Sequence, residues 1–230
     1  MLNNETINEK LKSLNPASDG GNLIVNGDVE PSGDLFVGGA ASITGSLSVG
    51  GKTTLYEADV LGLEYDPGAG APVNTKVFVT NIGGEIITTI FCDLTGAGSK
   101  NDDGDIIGIP ATDGAYLTRV TDAINGIIHK VEMTCTELPT ATANPGLDFD
   151  LITSTAADGA YDDDATGMAG YAAIITGGGD MAKNLTKEAS LGTVPAANAY
   201  LYLATGATHT GDSVYTGGQL VIQMRGYATI

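Results

Sequence analysis

Tryptophan is absent from the 230 residues, and cysteine occurs only twice, at Cys92 and Cys135. Two cysteines make no disulfide framework, and neither lies in a CxxC or a Cys/His metal spacing. Basic residues are scarce: Lys+Arg is 10 against 28 Asp+Glu, a formal net charge of -18. Phosphate affinity needs a basic face, so nucleic acid is not an expected partner. The same charge argues against anionic membrane surfaces. No run approaches the ~18 apolar residues of a membrane span. The opening MLNNETINEKLKSL has no apolar core of the kind a secretory leader carries, so none is expected. Charged residues are 17%, below the ordinary ~25%, and aromatics are 6%. What fills the space is glycine, 33 of 230 or about twice the usual share, within a 42% hydrophobic composition that can bury a core.

Residues 1–16 read as a short helix. Thr6 and Glu9 fit a capping box, Ile7, Leu11 and Leu14 fall on one stripe, and Asn15-Pro16 ends the run. A helix this short is marginal alone, so its stripe needs a partner. A frayed tail is the alternative.

Residues 21–55 repeat with a period of 12: GNLIVNGDVEPS, GDLFVGGAASIT, GSLSVGGKTTLY. Leu23, Leu35 and Leu47 align, as do Val25, Val37 and Val49, each unit reading G-x-L-x-V-x-G. The Leu and Val of a unit share one strand face, and the glycines mark turns or close backbone approaches. Three such units present one thin apolar row with open strand edges, which a single chain buries poorly. Three chains around an axis bury the row and pair the edges. A trimeric β-shaft is therefore expected, with these six side chains as its core. A hairpin array packed on the rest of its own chain is the competing reading. The period also accounts for Gly51-Lys52-Thr53, which resembles the end of a P-loop but has Ser46 where the first glycine belongs.

Asp66-Pro67-Gly68-Ala69-Gly70-Ala71-Pro72 reads as a linker. The expected organisation is an attachment segment (1–20), a repeat shaft (21–64), a linker (65–72) and a C-terminal domain (73–230). The last reads as all-β, with strand-like runs at TKVFVTNI, EIITTIFCDL, IIHKVEMTCTEL, LDFDLIT, YAAIIT, AYLYLATG and QLVIQMRGYATI. Gly83-Gly84 joins the first two. Short strands between Gly, Asp and Thr turns suggest a sandwich of the jelly-roll kind. LTRVTDAING is a helical turn or a bent strand.

Candidates for chemistry are few. His129 sits on the polar side of a strand and His209 in a Thr/Gly loop, with no nucleophile signature joined to either, and no catalytic residue is assigned. Asp102, Asp103 and Asp105 could offer calcium the hard oxygens it takes, but the twelfth position of that loop is Thr112, not the Glu of an EF-hand. Solvated turn aspartates are the other reading of these residues, of Asp162-Asp163-Asp164 and of the pair Asp148 and Asp150. No other cofactor is indicated. Cys92 and Cys135 lie in alternating apolar runs, which suits buried thiols, with a cross-strand disulfide as the alternative. Tyr161, Tyr171, Tyr200, Tyr202 and Tyr215 are candidate stacking platforms for a glycan, although strand tyrosines are commonly packed. Residues 155–170 read as a long exposed loop.

The repeat GDLFVGGAASITGSLSVGGKTTL resembles the shaft repeats of bacteriophage tail and head fibres. ATDGAYLTRVTDAINGIIHKVEMTCTELP, AYLYLATGA and YTGGQLVIQMRGYATI resemble β-sandwich virion proteins of marine tailed phages. The resemblance implies a homotrimeric structural protein of the virion surface, made in the host cytoplasm, with an N-terminal anchor and an exposed head. On that reading Ile7, Leu11, Leu14 and Leu23 dock on the major capsid protein or a tail component. The short shaft points to a capsid decoration or head fibre. A tail fibre that binds a receptor or a host surface glycan is the alternative.

Overall fold

The computed structural model describes residues 63–228, apart from positions 101, 144, 177, 191, 210 and 211. The expected N-terminal helix, the shaft core Leu23, Val25, Leu35, Val37, Leu47 and Val49, and the docking side chains Ile7, Leu11 and Leu14 lie outside the described residues. Those that are described belong to one compact unit, Leu55–Ile230.

The fold is all-β. The strands are β1 (Leu63–Tyr65), β2 (Lys76–Ile82), β3 (Glu85–Asp93), β4 (Gly98–Ser99), β5 (Thr118–Arg119), β6 (Ile127–Ala141), β7 (Phe149–Ser154), β8 (Ala172–Ile175), β9 (Thr186–Glu188), β10 (Tyr200–Thr205) and β11 (Ser213–Tyr227). A helical turn, α1 (Asp122–Asn125), precedes β6. The large sheet runs β1-β2-β3-β11-β6-β9, with β4 on the outer end of β11, and the small sheet runs β5-β10-β7-β8. Every strand pairing described is antiparallel.

The β2–β3 hairpin follows from its two glycines. Gly83 and Gly84 have φ of 64° and 94°, the left-handed pair that a tight hairpin turn requires. Beyond the turn, β3 alternates strictly between buried and half-buried residues, as its period-2 pattern dictates. β11 is the centre of the large sheet, paired with β3 on one side and β6 on the other. Its inward side chains form three cross-strand rows: Thr88–Met224–Val131, Ile90–Ile222–Met133 and Cys92–Leu220–Cys135. These face Phe149, Leu151, Leu201 and Leu203 of the small sheet in one continuous core. Each such aliphatic side chain, taken wholly out of water, contributes roughly 1.5–3 kcal/mol.

The two cysteines are free and buried. Both are register partners of Leu220, one on each side of β11. Two strand spacings of ~4.8 Å put them ~9.6 Å apart, outside the reach of a disulfide. The alternative of a cross-strand bridge is therefore excluded by the strand order.

The small sheet is buried on both faces, so β7 and β10 show almost no polar alternation. One face meets the large sheet; the other holds Ile106, Ala115, Ile152, Ala165, Tyr202 and Ala204 beneath the connecting segments. The segment 117–126, open between a helical turn and a bent strand, is both in succession: β5, then α1. Thr121 caps α1 by accepting from the Ile124 N–H at 3.2 Å, and the buried Asn125 side chain donates to Thr88 Oγ1 at 2.8 Å.

Residues 65–72, expected to be a linker, are bound into the domain. The Gly68 N–H donates to Tyr116 O at 2.8 Å, the Gly70 N–H donates to Gly114 O at 3.1 Å, and Ala71 is 3% exposed. Proline and glycine here serve close packing: a Cβ at Gly68 or Gly70 would collide with the 112–114 backbone.

Candidate functional site

The acidic residues singled out in the sequence converge partly. The segment 104–106 pairs with 162–165: the Ile106 N–H donates to Asp163 O at 3.0 Å, Asp162 N–H to Ile106 O at 3.1 Å, and Ala165 N–H to Gly104 O at 3.0 Å. Asp102 and Asp103 are exposed, whereas Asp105 is only 6% exposed. Burial, then the nearby carboxylates of Asp102, Asp162 and Asp164, push the Asp105 carboxyl up to about 6. The carboxylates of Asp163 and Asp164 are engaged locally. Asp163 accepts from the Ala160 N–H at 2.8 Å, and Asp164 accepts from the Thr166 N–H at 2.8 Å and its hydroxyl at 2.6 Å. These are turn-stabilising aspartates. Among the described residues, no group of three or more His, Cys, Asp or Glu side chains is placed to hold a metal ion.

Asp148, read from the sequence as a solvated turn aspartate, belongs instead to a buried site. It is fully buried. Its Oδ1 accepts from Lys187 Nζ at 3.0 Å, and its Oδ2 from the Thr208 N–H at 3.0 Å and Thr208 hydroxyl at 2.8 Å. Lys187 also donates to Phe149 O at 3.4 Å. Burial alone would raise the Asp148 carboxyl, but the Thr208 N–H, Lys187 and the Thr208 hydroxyl outweigh it and hold it below the usual carboxylate range. His209 completes the cluster: its Nδ1 lies 3.0 Å from Asp148 O and its ring meets Phe149 edge-on. The pair joins β9 of one sheet to the start of β7 in the other. Its only sequence trace is a lysine in a lysine-poor chain, which says nothing of its partner.

The five tyrosines do not form one platform. Tyr202 and Tyr215 are buried, with hydroxyls donating to Ala156 O at 2.7 Å and Gly146 O at 2.8 Å. Tyr161 and Tyr200 are half-buried, and Tyr171 is exposed. Tyr200 pairs with Tyr116 at 4.9 Å between centroids, and the Arg119 guanidinium stands 5.7 Å from its ring centre. The 155–170 segment is largely exposed, as its reading expects, but it is closed on itself and packs on the small sheet through a few side chains. The Thr155 N–H and hydroxyl both donate to Ala169 O at 2.9 Å, and Ala165 and Met168 pack on Ile152 and Tyr202.

His129 is exposed, as its strand position implies, and stacks on Tyr227 at 4.5 Å between centroids. Beside it, Lys130, Glu188, Ser190 and Val194 line a depression of about 330 Å³. No family model, curated protein or solved structure matches the chain.

Proposed function

We propose that the chain is a structural protein of a tailed-phage virion: a homotrimeric capsid decoration or head-fibre protein, held to the particle by its N-terminus, with the β-sandwich exposed. The observation that carries this reading is the 12-residue Leu/Val repeat immediately ahead of an all-β domain. The repeat's apolar row needs strands from other copies, and three chains supply them symmetrically. The excess of acidic residues keeps such assemblies soluble and mutually repelled. The anchor is assigned to Ile7, Leu11, Leu14 and Leu23, and its partner to the major capsid protein or a tail component.

Light scattering on the full chain tests the trimer. Three times 23.3 kDa is the expected mass. A monomer removes the shaft argument and the fibre reading with it. Antibody-gold labelling of purified particles then separates capsid from tail, and a chain lacking residues 1–20 should remain trimeric but no longer decorate particles.

A second reading, a head that binds a host surface glycan, draws support from Tyr200, Tyr116 and Arg119, which form a partly exposed aromatic pair with a cation beside it. A glycan array with no hit at high protein concentration removes it.

A further inference from the structure

Eight large apolar side chains are prominently exposed in the described residues, and three of them, Ile82, Ile127 and Tyr227, lie in one cross-strand row. The row crosses the end of the large sheet, in the register Ile82–Glu85–Tyr227–Ile127. Their exposures are 63%, 59% and 59%. Scattered exposed aliphatics need no account, but a row of them does.

The rim is also built to stay in place. Tyr227 stacks on the His129 ring with an interplanar angle of 19°. Glu85 is met by Arg225 Nη1 at 3.6 Å and by His129 Nε2 at 3.8 Å. Gly126 and Gly226 let α1 and the end of β11 touch closely: a Cβ at Gly126 would collide with Tyr227 O, and one at Gly226 with Asn125 O. The Ala228 N–H donates to Gly84 O at 3.0 Å, tying the last residues of β11 to the hairpin turn. A fixed Tyr, an Arg and two aliphatics, with the Glu85 carboxylate paired to Arg225 and the exposed Asp122 on the adjoining α1, is close to the composition of an interface centre. On a chain of net charge -18 it is a place where a second acidic copy meets less repulsion than over the rest of the surface.

The point of chain entry identifies the occupant. β1 is antiparallel to β2, with Leu63 opposite Val79 and Tyr65 opposite Val77. Leu63 is thus the β1 residue nearest the rim, and the chain enters β1 at that end. Only eight peptide steps, at most ~29 Å of extended chain, separate it from Leu55, where the repeat ends. Chains joined through the repeat would hold their rims at high effective concentration.

We propose that this rim is a contact surface for a second copy of the chain, the Ile82 flank of one head meeting the Ile127 flank of the next. The inference rests on the trimeric reading above. A cyclic trimer requires such unlike flanks to meet, because each copy must present both halves of the contact.

The test uses full-length chains carrying Ile82→Cys, Ile127→Cys or both, oxidised mildly and run on a denaturing gel beside a native mass measurement. Cys92 and Cys135 are buried and stay silent. Within one chain the two new thiols are three strand spacings, ~14 Å, apart and cannot pair. The double variant should give covalent dimers and trimers, each single variant only monomer, and Leu138→Cys, exposed toward the other end of β6, only monomer. No covalent species from a double variant of trimeric native mass overturns the rim contact and leaves the trimer standing. Dimers from either single variant put a flank against itself and overturn the flank-to-flank arrangement. A monomeric native mass overturns the trimer and this contact together. Circular dichroism identical to the parent establishes that each variant is folded.

Discussion

Replacing Lys187 by methionine leaves the Asp148 carboxylate buried without the cation, one of its three hydrogen-bond partners. In the parent, the lysine side chain is 9% and the aspartate side chain 0% exposed, with 3.0 Å between Nζ and Oδ1. Methionine keeps the length and apolar stem of lysine, so little packing is lost. The Thr208 N–H and hydroxyl still serve Oδ2. What remains is one desolvated carboxylate oxygen without its cation, and breaking a buried pair in this way costs about 3–5 kcal/mol. At about 2–4 °C per kcal/mol for a domain of this size, Tm should fall by about 6–20 °C. The pH dependence follows from the sign of the shift. The parent's Asp148 carboxyl is held below its ordinary value, so its contribution is present above the carboxylate range and is lost as pH falls through that depressed value. The gap between parent and Lys187→Met should therefore be widest at pH 7 and shrink toward pH 4 and below. Urea unfolding followed by far-ultraviolet circular dichroism measures it, since the chain has no tryptophan. A loss under ~1 kcal/mol at pH 7, or a gap that does not change with pH, refutes the reasoning. Asp148→Asn combined with Lys187→Met should cost less than the sum of the two single changes, because the charge left behind is gone.

Asp105→Asn should stabilise the protein. The carboxyl is raised from 3.8 to about 6, so its ionisation opposes folding; at ~1.36 kcal/mol per unit the gain is about 2–3 kcal/mol above pH 6 and vanishes below pH 4, as read by thermal melts across pH. Cys92 and Cys135 should resist a thiol reagent at neutral pH and both react in denaturant: each is buried, and burial raises both thiols, Cys92 to about 12. Mild oxidation should yield no internal disulfide, checked by intact mass. Tyr202→Phe removes the bond to Ala156 O at 2.7 Å and should cost about 1–2 kcal/mol. It should also speed limited proteolysis within 155–170, and an unchanged cleavage rate would mean the segment is held by its other contacts.

Local periodicity makes the strands legible in the amino-acid sequence itself. The inward positions Ile86, Ile90 and Cys92, and Val131, Met133 and Cys135, are buried in alternation as their spacing requires. Gly83-Gly84 marks its hairpin because only left-handed backbone closes so short a turn. Composition likewise weighs against a disulfide framework. What the linear chain does not carry is which strands become neighbours. β11 comes last in sequence yet lies between β3 and β6, and that insertion alone holds the two cysteines apart. The second burial of the small sheet, the packing of Gly68 and Gly70, and the Asp148–Lys187 pair arise the same way, from segments distant in sequence and adjacent in space. Period-2 patterning registers which side of a strand is apolar, but a polar residue looks the same whether it meets water or a buried ammonium. For Asp148 that choice is made by the tertiary structure, because only the closing of one sheet on the other brings Lys187 within 3.0 Å.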